Sequence, residues 1–201
     1  MLLKTGVFGG TFDPVHIGHL AVAERVYCDL DLDRIVFVPA SASPFKLGEA
    51  TTPGEHRLAM LKLAVQDNPH FAVNDIELQR GGTSYTVDTM EMLGERYPQD
   101  EFYFIMGMDS FLELGGWKNV KRLVELCQLV VVTRPGYELP REQKELSSLP
   151  SYVWQRTRFL ETPGLDIAAT EIRERIKKGR SVRYLLTPDV ESYIYENGIY
   201  R

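Results

Sequence analysis

At 201 residues the chain has the length of one domain with a full core, and its composition, 44% hydrophobic and 25% charged, is that of an ordered globular protein. Its 28 acidic against 23 basic side chains give a formal charge of -5, which argues against a dedicated nucleic-acid binder but leaves room for a local basic pocket for a phosphate ligand. Cys28 and Cys127 form neither a disulfide framework nor a paired zinc motif, no apolar stretch reaches spanning length, and Met1 to Thr5 run straight into glycine turn chemistry instead of a signal peptide; a cytoplasmic protein without a membrane partner is expected.

Residues 2–8 read as a buried strand ended by Gly9 and Gly10, and residues 17–27 place Leu20, Ala23 and Tyr27 at helical spacing. Residues 34–39 form a second strand, followed by a Ser/Pro-punctuated loop over 40–53. A helix over 54–65, a strand over 71–78 and a helix from 84 or 86 to about 97, stopped by Pro98, come next. They are followed by a strand over 102–106, a helix over 120–126 and a very apolar strand over 129–133, cut off by Arg134-Pro135-Gly136. Residues 137–155 read as charged and irregular, with a short helix around 141–146, ahead of weak strands at 158–160 and 165–167. Residues 170–178 form a helix with Ile172 and Ile176 inward and Gly179 as its stop; Thr187 as cap and Pro188 in the first turn open a closing amphipathic helix.

Strands alternating with helices predict an α/β fold, Rossmann-like, with three α/β/α layers around a mainly parallel sheet. One domain over 1–201 is expected, with the helical part from about 170 packed on it. Such sheets bind ligands at the carboxyl ends of their strands, so the loops over 9–19, 40–53, 107–117 and 133–136 matter most.

The strongest local signal is Gly9-Gly10-Thr11-Phe12-Asp13-Pro14-Val15-His16-Ile17-Gly18-His19. The P-loop Lys-Ser/Thr pair is absent and the glycine spacing is not that of the dinucleotide fingerprint, yet glycines between a strand and a helix start let backbone amides approach a phosphate. His16 and His19 are three apart on one face of the first helical turn, and Gly18 has no side chain to hold a ligand away. A lone histidine there would read as packing; two of the chain's four in one turn favour function. Asp13 neighbours a metal or caps the turn amides, and the turn is favoured because a single carboxylate is a poor magnesium site. His56, His70 and Cys127 read as helix surface, loop and core.

These residues resemble the signature of the His-x-Gly-His nucleotidyltransferases, and among them the chain is similar to the bacterial nicotinate-nucleotide adenylyltransferases. Val38-Pro39 through Pro44 to Lys46 resembles the family's lysine-bearing loop and Arg57-Leu58-Ala59-Met60 its following helix. Gly82-Thr83-Ser84-Tyr85-Thr86 with Asp88-Thr89 is similar to its Ser-Tyr-Thr-x-Asp-Thr segment; Gly107 to Phe111 with Trp117, Arg134 to Gly136, and Ile167 to Arg173 with Ser181 to Leu185 complete the order. The family usually carries Ile-Ser-Ser/Ala-Thr-x-x-Arg where this chain reads Ile167-Ala168-Ala169-Thr170-Glu171-Ile172-Arg173, so Ala168 lacks a hydroxyl and weaker triphosphate binding is expected.

The resemblance implies that nicotinate mononucleotide attacks the α-phosphorus of ATP and that pyrophosphate leaves with Mg2+, the ion resting on ATP phosphates. His16, His19, Lys46 and Arg173 would carry catalysis. Gly9, Gly10, Thr11, Phe12, Gly18, Arg134, Ala168 and Thr170 would bind ATP; Thr83, Ser84, Tyr85, Asp109 and Trp117 would bind the nicotinate nucleotide. On residue type alone Trp117 is as often core as ligand contact, Arg134 is as readily a surface arginine, and the basic residues from Arg173 to Arg183 are mostly a solvated face, with RNA binding a minority alternative. A nicotinamide or phosphopantetheine acceptor, and a nucleotide-binding protein without turnover, are the rival readings. The oligomeric state stays open.

Overall fold

The computed structural model describes residues 2–44, 51–133, 136, 149–162 and 164–201. Among them, six strands form a single sheet: β1 (Leu3–Gly10), β2 (Arg34–Pro39), β3 (Phe71–Val73), β4 (Asp100–Gly107), β5 (Cys127–Thr133) and β6 (Thr157–Glu161). All neighbours run parallel, in the order β3-β2-β1-β4-β5-β6. The helices are α1 (Ile17–Asp29), α2 (Gly54–Val65), α3 (Ile76–Arg80), α4 (Thr86–Arg96), α5 (Met108–Leu112), α6 (Val120–Leu126), α7 (Ser151–Gln155), α8 (Ala169–Lys177) and α9 (Pro188–Glu196), with a 3-10 turn at Leu114–Gly116.

Alternation along each strand builds the layers. Val7, Val36, Val38, Phe102, Phe104, Met106, Leu129 and Val131 face one core, packed with α3 to α7. Phe8, Ile35, Phe37, Tyr103, Ile105 and Val130 face the other, packed with α1, α2, α8 and α9. With both faces covered, the central strands read as unbroken apolar runs. Gly6 permits the closest approach: a Cβ there would lie 2.4 Å from Ile35 Cδ1.

Several expected boundaries move. β1 continues through both glycines to Gly10, which pairs with Pro39. The strand expected over 71–78 stops at Val73, because the Asn74 side chain accepts the Ile76 amide at 3.0 Å and turns the chain into α3. Residues 165–167 are not a strand: Ile167 packs against the α1 side of the molecule, and a Cβ on Gly18 would lie 3.7 Å from its Cβ. The stretch expected to be irregular contains α7, whose Val153 is fully buried, while the helix expected at 141–146 lies outside the described residues. Likewise the 107–117 loop holds α5 and the 3-10 turn. α8 ends as expected at Gly179 (φ 62°), with Gly179 N–H donating to Ile176 O and Arg180 N–H to Arg175 O, the paired bonds of a Schellman stop. Thr187 does precede α9 in extended conformation, but its hydroxyl makes no capping bond.

Candidate active site

The strand order reverses direction between β1 and β4, so the loops after these two strands part and leave a crevice at their carboxyl ends. A cleft of about 440 Å³ lies there, and its described lining includes Gly9, Gly10, Thr11, Ser84, Thr86, Phe104 and Trp117. That volume is within the usual range for a small-molecule site. Bare glycines form its floor because β4 crowds them: a Cβ on Gly9 would lie 3.3 Å from the Phe104 ring. One wall is made by joining two loops. Ser84 N–H donates to Ala42 O at 2.8 Å and Ser84 Oγ accepts the Ser41 amide at 2.9 Å, which ties the chain after β2 to the start of α4. Behind that wall the buried Glu77 carboxylate, also part of the lining, accepts the Thr89 hydroxyl at 2.6 Å.

After the glycines, Phe12 adopts φ 50° and folds its ring back under the loop, edge-on to Phe8 and to His19. The next turn brings His16 and His19 into a stack, ring centroids 3.6 Å apart and planes 25° from parallel. His16 N–H donates to His19 Nδ1 at 3.2 Å, which makes that nitrogen the acceptor and puts the proton of a neutral His19 on Nε2. Burial pushes His16 down to about 4; burial, and then the neighbouring His16, push His19 down to about 3. At neutral pH the pair is therefore uncharged and each ring has one N–H to offer. Gly18 serves the pair in a way the sequence alone does not disclose: a Cβ there would come within 3.0 Å of His16 Nδ1, so the missing side chain makes room for the ring.

Asp13 sits behind this turn, 6% exposed. One carboxylate oxygen accepts the Tyr200 hydroxyl and the other the Thr52 amide at 3.2 Å, so it ties distant segments together and does not cap its own turn. Its main-chain carbonyl accepts Arg173 Nη1 at 2.7 Å, which draws that arginine of α8 toward the histidine loop. Arg57 lies beneath at 2% exposure and donates from Nε to Thr52 O at 2.9 Å and from Nη1 to Thr11 O at 2.8 Å. Its burial lowers the guanidinium from its ordinary value, and the Asp13 charge opposes this.

The family model described as cytidylyltransferase-like matches residues 7–175. A relative from Syntrophotalea carbinolica, named "Probable nicotinate-nucleotide adenylyltransferase", is 44% identical over 99% of this chain and 98% of its own. One of the same name from Geotalea daltonii is 43% identical over 98% of each. The chain belongs to the nicotinate-nucleotide adenylyltransferase family. The fold is also that of a Plasmodium falciparum nicotinic acid mononucleotide adenylyltransferase solved with NaAD, at TM-score 0.79 and 19% identity, covering 98% of this chain and 97% of that one.

Of the residues expected from this family, the structure brings Gly9, Gly10, Thr11, Ser84 and Trp117 to the cleft. His16, His19, Gly18 and Arg173 gather one loop further on, joined to the cleft through Thr11, Phe12 and Asp13. Phe12 is 3% exposed, so only its main chain can meet a ligand. Thr83 bridges Ala42, and Tyr85 is exposed with Lys118 Nζ 4.8 Å from its ring centroid. Asp109 is exposed at the start of α5 and is not among the described lining, where Ser110 and Glu113 of the same segment stand instead. Ala168 is the exposed N-cap of α8, and Thr170 Oγ1 lies 3.4 Å from Arg173 Nη2. Lys46 and Arg134 lie outside the described residues. His56 meets the Tyr193 hydroxyl at 2.9 Å, His70 stacks on Tyr27, and burial pushes the Cys127 thiol up to about 12.

Arg57, Glu77 and Tyr200 escape the sequence reading as site residues. Arg57 had a signal, a cation three and four residues before the buried Met60 and Leu61 of the same helix. Glu77 is hidden by the strand expected over it. For Tyr200 no sequence pattern points to Asp13.

Neutral buried histidines fix the sign of an acid response. In the unfolded chain each titrates near 6.5, so below that pH the unfolded state binds more protons than the folded one. Stability is therefore expected to fall from about pH 6.5 downward until the folded histidines protonate near 4 and 3. Urea unfolding at pH 7 and pH 4.5 should show a loss of about 5 kcal/mol, reduced in the His16→Gln, His19→Gln double variant.

Proposed function

We propose that this protein transfers the adenylyl group of ATP to nicotinate mononucleotide, giving nicotinate adenine dinucleotide and pyrophosphate, a step of NAD synthesis. The observation that carries this reading is the end-to-end match to relatives named for the activity, at 44% identity over 99% of the chain. The geometry supports it, with a nucleotide-sized cleft floored by Gly9, Gly10 and Thr11 and, in the turn that continues from Thr11, a stacked histidine pair and an arginine held on the Asp13 carbonyl.

In this reaction the acceptor phosphate oxygen attacks the α-phosphorus of ATP while the bond to the pyrophosphate oxygen breaks in line. No side chain need act as nucleophile; catalysis is positioning and stabilisation of charge. His19 Nε2–H and the His16 ring donate to phosphate oxygens. A bound triphosphate, as a neighbouring anion, raises both pKa values and strengthens these bonds as charge builds on the leaving group. Arg173, anchored on Asp13 O, takes the β/γ end, and Lys46, which follows the cleft-lining Pro44, adds a second cation. In the cleft Trp117 offers its face to the pyridine ring, and main-chain donors around Thr83 and Tyr85 take its carboxylate, a charged acceptor being the stronger partner. Arg134 with its turn meets the nucleotide of ATP. Among the described residues no three His, Cys, Asp or Glu gather as a metal site, and both Asp13 oxygens are engaged. Magnesium fits as part of the substrate, entering on the ATP phosphates, where it neutralises charge on the departing pyrophosphate. No described helix is long and apolar enough to cross a membrane.

The direct test is pyrophosphate release from magnesium-ATP with nicotinate mononucleotide, nicotinamide mononucleotide or phosphopantetheine. Fast release is expected with the first; a preference for another acceptor would discard the pocket assignment, and silence with all three would leave a binding protein. His19→Ala should lower turnover by about 10² to 10³, the usual effect of losing one well-aimed donor.

Ala168, the N-cap of α8, offers no side-chain acceptor to the first amides of the helix. Ala168→Ser is expected to stabilise the helix by about 1 kcal/mol and to lower the KM for ATP. An unchanged KM and turnover would show that this hydroxyl does not meet the triphosphate.

A further inference from the structure

Tyr200 holds φ 66°, a left-handed backbone conformation that is unusual for a bulky side chain and that survives only where its surroundings enforce it. Two contacts enforce it. Ile199 is 9% exposed in the α1/α2 core and its amide donates to Ile194 O at 3.0 Å, which fixes the chain as it leaves α9. Beyond it the Tyr200 hydroxyl reaches 187 residues back along the sequence to donate to Asp13 Oδ1.

Asp13 is a buried carboxylate, and such a group is tolerated only when its oxygens are paired. Its partners are the Tyr200 hydroxyl and the Thr52 amide, and the nearby Arg57 guanidinium balances its charge. The same arginine bonds Thr52 O and Thr11 O, closing a knot that joins residues 11–13, 52, 57 and 200. A group assigned to the triphosphate hangs from this knot. Arg173 is held by the Asp13 carbonyl. The acceptor cleft is walled on its far side by Ser84, Thr86, Phe104 and Trp117 and meets the knot at Thr11, which is part of both.

We propose that Tyr200 is a positioning residue for ATP: its hydroxyl fixes the Asp13 carboxylate, and through it Arg173, without touching either substrate. This rests on the adenylyltransferase reading for the identity of the ligand. Removing the hydroxyl leaves one buried carboxylate oxygen without its donor, so the residue 11–13 turn must shift to find water. The shift reaches Arg173 directly, through the Asp13 carbonyl, and the far wall of the cleft only by way of the main chain at Thr11.

Tyr200→Phe, which keeps the ring and its packing, is the test. Dissociation constants for ATP and for nicotinate mononucleotide would be measured by calorimetry beside steady-state kinetics and thermal melting. The expected result is a KM and Kd for ATP raised about fivefold or more, with those for nicotinate mononucleotide changed less than twofold. A lower melting temperature with both substrates unaffected, or both weakened alike, would reduce Tyr200 to a structural role and overturn the proposal. Arg57→Lys, which keeps the charge but can reach only one of the two carbonyls, should give the same ATP-selective loss and serves if the first variant does not fold. Wild-type protein that binds ATP without turnover would defeat the adenylyltransferase reading, while the ATP constants would still decide the role of Tyr200.

Discussion

Every described pair of neighbouring strands is parallel, and this constraint organises the rest of the molecule. Parallel strands need crossovers, and crossovers cover both faces of the sheet, so the interior divides into two cores and all strand ends that can hold a ligand lie on one edge. The change of winding direction between β1 and β4 then opens a gap on that edge. Gly9 and Gly10 fill it with backbone because Phe104 and the folded-back Phe12 ring leave little space for side chains there. The site is therefore a consequence of topology before it is a matter of chemistry.

Burial then decides the chemistry of the histidines. A stacked pair in water would titrate near neutrality and carry part of a charge; here desolvation keeps both rings neutral, and the His16 amide fixes the His19 tautomer. Neutral donors suit a polyphosphate that brings its own magnesium. They add directed hydrogen bonds without a permanent positive charge that would hold pyrophosphate after transfer. In the proposed reaction permanent charge comes instead from Arg173, set apart on α8.

How far the sequence disclosed this follows from the range of each interaction. β2, α2 and α6 appear at their observed boundaries because their signals, apolar periodicity and flanking turn residues, are local. The 71–78 strand fails at Asn74, where one side-chain hydrogen bond outweighs β-branched neighbours. α7 was obscured by the charged sequence before it. In the site, the glycines and the paired histidines were legible from spacing, and Ser84 and Trp117 only through family resemblance. The reason for Gly18 was not legible, since the crowding comes from a ring whose position depends on the stack. Arg57, Asp13 and Tyr200 meet across separations of up to 187 residues, and no local pattern encodes such a meeting.

The two halves of the proposed reaction are held by different layers. Phe104 and Trp117, which flank the acceptor cleft, belong to the core packed with α3 to α7. The histidine turn and Arg173 stand on α1 and α8, which belong to the other core. Thr11 and Phe12 connect them at the end of β1, the strand whose residues alternate between both cores. A phosphate oxygen presented from one layer and a triphosphate gripped by the other would meet over the β1 glycines, where no side chain stands between them. In-line attack needs the acceptor and the leaving group on opposite sides of the α-phosphorus, and in the proposed reaction holders on opposite faces of one sheet would place them so.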